Sequence, residues 1–181
     1  MGRTYDDIPE HLHSWMEEQP IWFVASAPLS ADGHVNLSPK GDDSFRVIDA
    51  TTVAYLDRTG SGVETIAHIR ENGRLTIMFC SFGEKPNIVR LHGTGSYVVP
   101  GDARWEELAG RFPPRSGARA VIVLAVHRVT TACGYGVPMM DLVGGRGSMD
   151  EWADRQGPDG VLAYRAEKNQ VSVDGLPALA P

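Results

Sequence analysis

Residues 55–68 read Tyr55-Leu-Asp-Arg-Thr-Gly-Ser-Gly-Val-Glu-Thr-Ile-Ala-His68 and join three local signals in one short stretch. Thr51 to Leu56 is rich in β-branched and aromatic residues and is expected as a strand. Asp57 to Gly62 ends it as a turn, and Val63 to Glu71 has helical apolar spacing closed by Asn72-Gly73. A glycine-rich turn feeding a helix aims several backbone N–H groups at one point and adds the positive end of the helix dipole, an arrangement that binds phosphate. Thr59, Ser61 and Thr65 supply hydroxyl donors. The same residues carry a second reading: Ser61-Gly-Val-Glu64 is an S-x-x-E capping box, with both side chains spent on the helix's own amides. Spacing leaves both readings open, and the Glu64 carboxylate opposes an anion within one turn of it.

On the N-terminal side, Pro9 opens a helix over Glu10 to Gln19 that puts Leu12, Trp15 and Met16 on one face, and Pro20 closes it. Ile21 to Ala25 is a continuous apolar run, expected as a strand covered on both faces. After an Asp32-Gly33 turn, His34 to Ser38 alternates polar and apolar. This predicts a strand with Val35 and Leu37 buried, broken by Pro39 to Asp42. Asn36, Ser38 and Lys40 then share the other side, either lining a groove or forming a solvated outer face.

On the C-terminal side, Leu75 to Cys80 and Ile88 to Val99 read as strands, the second bent by Gly93 and Gly95. Ala103 to Phe112 reads as a helix stopped by Pro113-Pro114, and Ala118 to Thr131 is the most apolar strand of the chain. Beyond a constrained Cys133 to Pro138 loop, Ser148 to Gln156 and Val161 to Lys168 read as helices broken by Gly157-Pro158. The tail from Gly175 to Pro181 is expected to be mobile. Six strands with mostly hairpin-length connections favour a mainly β, six-stranded antiparallel barrel with peripheral helices over a doubly wound sheet. No repeat or linker divides residues 1–181, so a single domain is expected.

The 181 residues are 42% hydrophobic and 22% charged, which opposes disorder. Seventeen Lys plus Arg against 23 Asp plus Glu leave a net charge of -6, so no partnership with nucleic acid is expected. Cys80 and Cys133 fit neither a disulfide framework nor a CxxC or zinc pattern, and a reducing cytoplasm is the expected location. The apolar run Ile21 to Leu29 is about half the ~20 residues of a membrane span, so neither a membrane helix nor a signal peptide is expected. His11 and His13 are two apart and splay on a helix, which argues against a metal site. Cys133 lacks an adjacent base, and no G-x-S-x-G nucleophile motif occurs. No residue is thereby assigned a catalytic role.

Asn36-Leu-Ser-Pro-Lys-Gly41, Tyr55 to His68, Leu75-Thr-Ile-Met-Phe-Cys80, Arg90-Leu-His-Gly93 and Cys133-Gly-Tyr-Gly-Val-Pro138 together resemble the flavin-binding split barrels related to pyridoxamine 5'-phosphate oxidase. The resemblance spans roughly residues 20 to 140 and implies a homodimer holding flavin mononucleotide (FMN) in two interface clefts. By position, Lys40, Ser61, Gly62 and Thr65 would hold the phosphate, while Asn36, Ser38, Tyr55, Leu56 and Asp57 would flank the isoalloxazine and ribityl chain. Arg90 would reach the phosphate or the pyrimidine edge. The Cys133 to Pro138 loop and the helix bearing Trp152 would come from the partner. The implied activity is an FMN-dependent oxidoreductase acting on a small organic substrate, with hydride chemistry at flavin N5. The founding oxidase's C-terminal substrate-phosphate motif is not matched by Asp174-Gly-Leu-Pro177, which argues against pyridoxamine phosphate as substrate. Relatives also use a deazaflavin or bind haem, so a non-catalytic flavin-, deazaflavin- or haem-binding protein is the alternative. A plain β-barrel interaction module, with Ser61 only a helix cap, is a third reading.

Overall fold

A computed structural model describes residues 2–179. Its strands are β1 (Thr4–Tyr5), β2 (Ile21–Ser26), β3 (Asn36–Gly41), β4 (Phe45–Asp49), β5 (Thr52–Arg58), β6 (Arg74–Cys80), β7 (Ile88–Val98) and β8 (Ala118–Ala132). Helices are α1 (Glu10–Glu17), α2 (Glu64–Asn72), α3 (Trp105–Ala109) and α4 (Ser148–Lys168), the last interrupted at Gly157, whose φ of 66° and ψ of 173° are non-helical. Every ladder is antiparallel, in the order β3-β2-β6-β7-β8-β5-β4, with β1 added to β8.

Chain geometry forces this sheet to curl. β3 and β4 lie at opposite ends of the hydrogen-bonded order, yet only Asp42 to Ser44 join them. A flat sheet would hold the two ends roughly 29 Å apart at about 4.8 Å per strand, whereas the connection spans roughly 14 Å at most. Asp42 and Asp43 turn the corner at φ of 59° and 52°, and Leu56 N–H donates to Ser44 O at 2.9 Å, extending the β4–β5 ladder toward the corner. Inside the curl, Trp22, Phe45, Tyr55 and Phe79 pack with ring centroids 4.8 to 6.0 Å apart. α1 closes one side with Leu12 and Met16, and a second small cluster packs Leu56 and Val121 under Leu108 and Phe112.

Eight strands replace the expected six. β1 has two residues and no sequence signal of its own. β4 is short, and its alternation was hidden among the charged residues around it. β3 runs through Pro39 instead of stopping there, because an edge strand has one side with no ladder for the missing N–H to interrupt. The facing of β3 is also the reverse of the expectation. Asn36, Ser38 and Lys40 lie opposite Ser26, Val24 and Trp22 on the inner face, while Val35 and Leu37 are 73% and 64% exposed. β2 alternates buried and half-buried residues, so it is only partly covered on its outer side.

The tail differs too. Up to Leu179 it is held: Ala178 N–H donates to Gln170 O at 2.8 Å, Leu179 N–H to Asn169 O at 3.1 Å, and Arg70 to Ala178 O. Ala178 is fully buried, with Leu176 and Leu179 against the core. Burial of small apolar residues thus holds a tail expected to be mobile; residues 180–181 lie outside the described residues.

α2 ends as its sequence predicts. Gly73 takes φ of 70°, and its N–H donates to His68 O and Ile69 O. Gly73→Ala is expected to cost about 1 kcal/mol, with its added Cβ 3.1 Å from Thr94 Cγ2. Urea unfolding midpoints would check it, and an unchanged midpoint would contradict the left-handed cap.

Candidate functional site

The sheet's curl brings β3 and β5 face to face across the seam, which sets Lys40 against the buried Asp57. Lys40 Nζ donates to Asp57 Oδ1 at 2.8 Å, and Arg119 Nε, from the start of β8, donates to Asp57 Oδ2 at 2.7 Å. Asp57 is 2% exposed. Burial alone would raise its carboxyl pKa, but the two cations outweigh burial and hold it at about 2. Lys40 also stands 5.5 Å from the Tyr55 ring centroid. The Tyr55 hydroxyl is buried and makes no hydrogen bond among the described residues, and burial, with the Asp57 charge behind it, pushes its pKa well up.

Arg119 does more than neutralise Asp57. It donates to Gly60 O at 3.2 Å, Gly62 O at 2.6 Å and Asn169 Oδ1 at 2.8 Å, while Asn169 Nδ2 donates to Gly60 O at 2.8 Å. The carbonyls of the glycine turn are thus drawn inward onto one guanidinium and one amide. The first amides of α2 have no acceptor within the helix, as at any helix start. Arg165 braces the other end of the turn through Thr59 Oγ1 at 2.8 Å and Ala118 O at 2.8 Å.

The capping box does not form. α2 begins at Glu64 with no side-chain cap, and Ser61 and Gly62 are exposed. Glu64 Oε1 instead accepts from Val173 N–H at 3.3 Å, tying the turn to the tail. Thr65, buried on α2, accepts from Asn36 Nδ2 at 3.0 Å. Asn36 Nδ2 also donates to Ser26 Oγ at 3.1 Å, Ser38 Oγ donates to Asn36 Oδ1 at 2.8 Å, and Ser26 Oγ lies 2.9 Å from His68 Nδ1. Which of Ser26 Oγ and His68 Nδ1 donates in this contact follows the imidazole tautomer. His68 Nε2 is buried and unpartnered, and burial lowers the ring's pKa against the pull of Glu64, Asp174 and Glu71.

Of the residues singled out from sequence, Asn36, Ser38, Lys40, Tyr55, Asp57 and Thr65 converge on this inner wall, and Ser61 and Gly62 stand at its mouth. Leu56 points away, into the cluster beneath Leu108. Arg90 pairs with Met78 and Thr130 on the outer face, across the sheet from Lys40. Trp152 packs edge-on against Tyr164, centroids 4.9 Å apart, across the Gly157 break of α4. Arg119, Arg165 and Asn169 were missed. Arg119 had a signal, being a lone charge in the apolar run Ala118 to Val126, where burial requires a partner; Arg165 and Asn169 had none.

Comparisons with known proteins agree with this architecture. The sequence model of the pyridoxamine 5'-phosphate oxidase family matches residues 8–133. The chain is 42% identical, over 192 residues covering 97% of it and 77% of the relative, to the pyridoxamine 5'-phosphate oxidase family protein ustO of Aspergillus flavus. Among solved structures it is similar to a point variant of HupZ from Group A Streptococcus, at 27% identity and a TM-score of 0.53, covering 69% of this chain and 99% of that one. It shares its fold with a Lactobacillus delbrueckii protein provisionally described as a pyridoxamine 5'-phosphate oxidase, at 21% identity and a TM-score of 0.53, covering 69% and 94%. The mainly β split-barrel fold expected from the resemblance is therefore borne out, and the chain belongs to the pyridoxamine 5'-phosphate oxidase family.

Proposed function

We propose that the chain binds a flavin, with FMN the preferred form, and serves as an oxidoreductase for a small organic substrate in a cleft shared by two copies. The observation that carries this reading is the inward polar row Asn36, Ser38 and Lys40. It meets Thr65, Asp57 and the unpartnered Tyr55 hydroxyl beside a glycine turn whose carbonyls are held inward. These polar groups suit the polar edge and side chain of a flavin, and Ser61 with the open amides of the turn suits an anion. The flavin would supply hydride chemistry; the protein's part is to bind, orient and exclude water. No titratable pair stands free in the site, because Asp57 is already ionised between Lys40 and Arg119.

A second copy is supported by apolar surface left uncovered. Val35 and Leu37 on one side, and Tyr135, Met139, Leu142 and the 102% exposed Val143 in the 133–147 segment, are what a partner would bury. No helix among the described residues is long and apolar enough to cross a membrane, and Cys80 and Cys133 are both free; a cytoplasmic location is part of the proposal.

The test is the visible spectrum of the purified protein, mass identification of any chromophore released by heat, and titration with FMN and riboflavin. Stoichiometric FMN uptake, with reduction by a nicotinamide nucleotide and turnover on reoxidation, is the expected result. Uptake without turnover would favour the sequestering alternative. Failure to bind flavin would overturn both. Within the site, Ser61→Ala should weaken FMN severalfold more than riboflavin, and Glu64→Gln should strengthen FMN by removing a like charge. Equal effects on both flavins would remove the turn from the phosphate site.

A further inference from the structure

The half of α4 that follows Gly157 leaves a cleft of about 670 Å³ against β7 and β8, within the range of small-molecule sites. Tyr97, Val99, Pro100, Leu162, Ala166 and Leu179 give it apolar walls, and Arg119 and Arg165 line it from the core side. The two arginines differ in one respect. Arg119 faces the carboxylate of Asp57 at 2.7 Å. Arg165 is half-buried and donates only to neutral oxygens, through Nε to Thr59 Oγ1 and through Nη2 to Ala118 O and Gly117 O. Its Nη1 group makes none of these bonds, and among the described residues no carboxylate forms an ion pair with it.

Lys40, Arg119 and Arg165 thus share the carboxylate of Asp57: burial and Arg119 both work against the Arg165 charge, and Asp57, already paired with the other two cations, supports it only without direct contact. A guanidinium that is partly desolvated, lacks a counter-ion and has free donors gains most from an anion, and the surrounding walls reward an apolar body behind it. We propose that this cleft binds a small amphipathic carboxylic acid, its carboxylate on Arg165 Nη1 and its hydrocarbon part along Val99, Leu162 and Ala166. The cleft is lined by none of Asn36, Ser38 and Lys40, so it does not depend on the flavin reading.

Titration calorimetry of the full chain with octanoate, decanoate and octanamide at neutral pH tests it. Decanoate should bind more tightly than octanoate, by about threefold to fourfold per added methylene, and octanamide at least about tenfold more weakly than octanoate. Arg165→Gln should weaken octanoate by about tenfold while leaving octanamide unchanged. That variant also removes the brace on Thr59, so a second variant keeps the test independent of folding. Ala166 is exposed on α4, and Ala166→Phe, which fills the cleft without touching Arg165, should abolish binding of both acids in a protein of unchanged melting temperature. Equal binding of acid and amide, no binding of octanoate at millimolar concentration, or octanoate binding unaffected by either variant would each overturn the proposal.

Discussion

Asp57→Asn is expected to destabilise the protein by about 3–5 kcal/mol, the usual cost of removing one partner from a buried ion pair. The carboxylate is enclosed, and it is the acceptor for both Lys40 at 2.8 Å and Arg119 at 2.7 Å. Asparagine keeps the shape but offers one neutral acceptor oxygen, leaving two cations under-compensated at the seam where β3 meets β5. Lys40→Met should cost much less, because Asp57 keeps Arg119 and Lys40 is the more exposed partner. Combining the two should recover part of the loss, and that coupling is what a double-mutant cycle in urea would measure. A loss under about 1 kcal/mol for Asp57→Asn would show that the seam is held by packing alone. The same group sets an acid limit. Its folded pKa of about 2 lies below the ordinary 3.8, so its contribution is complete above about pH 4 and is lost as pH falls through about 2, amounting to about 2 kcal/mol. Asp57→Asn should flatten the stability profile in that window.

Gly93→Ala should be worse still, with loss of soluble folded protein or more than about 3 kcal/mol of stability. Gly93 sits where the β7–β8 register shifts, and a Cβ built there would lie 2.0 Å from Ala125 O and 2.8 Å from Leu124 Cδ1. Backbone oxygen cannot step aside as a flexible side chain can. The two longest strands would have to separate where they carry the centre of the sheet, and the bulge that lets them cross closely would be lost. Gly60→Ala is the matched control: its Cβ would meet nothing within 4 Å, and a change within about 0.5 kcal/mol is expected. Circular dichroism and urea midpoints on the pair separate a close approach of backbones from a general intolerance of glycine substitution. Equal behaviour of the two would refute the steric account.

Short-range chemistry was readable in the sequence. The strand, turn and helix over residues 51–73, the Gly73 cap, the bend at Gly93 and the break at Gly157 each depend on a few neighbouring residues, and the structure keeps them. The sequence also brought out Asn36, Ser38, Lys40 and Thr65, because polar residues at period two on a strand and hydroxyls beside a glycine turn are local patterns, whereas Tyr55 and Asp57 came from the family resemblance. Three matters were settled only by tertiary structure. A period-two pattern states that two faces differ but not which one turns inward. The row Asn36, Ser38 and Lys40 faces the interior because it lies opposite Ser26, Val24 and Trp22, while Val35 and Leu37 are left outside. The Ser61–Glu64 spacing permitted a cap, but Glu64 found a long-range donor in Val173 N–H. The partners of Asp57 come from β8, the ladder neighbour of β5, and from β3, which the curl imposed by three residues between β3 and β4 brings within reach. A buried charge obliges the fold to bring an opposite one, yet only the closed path of the chain decides which residue arrives.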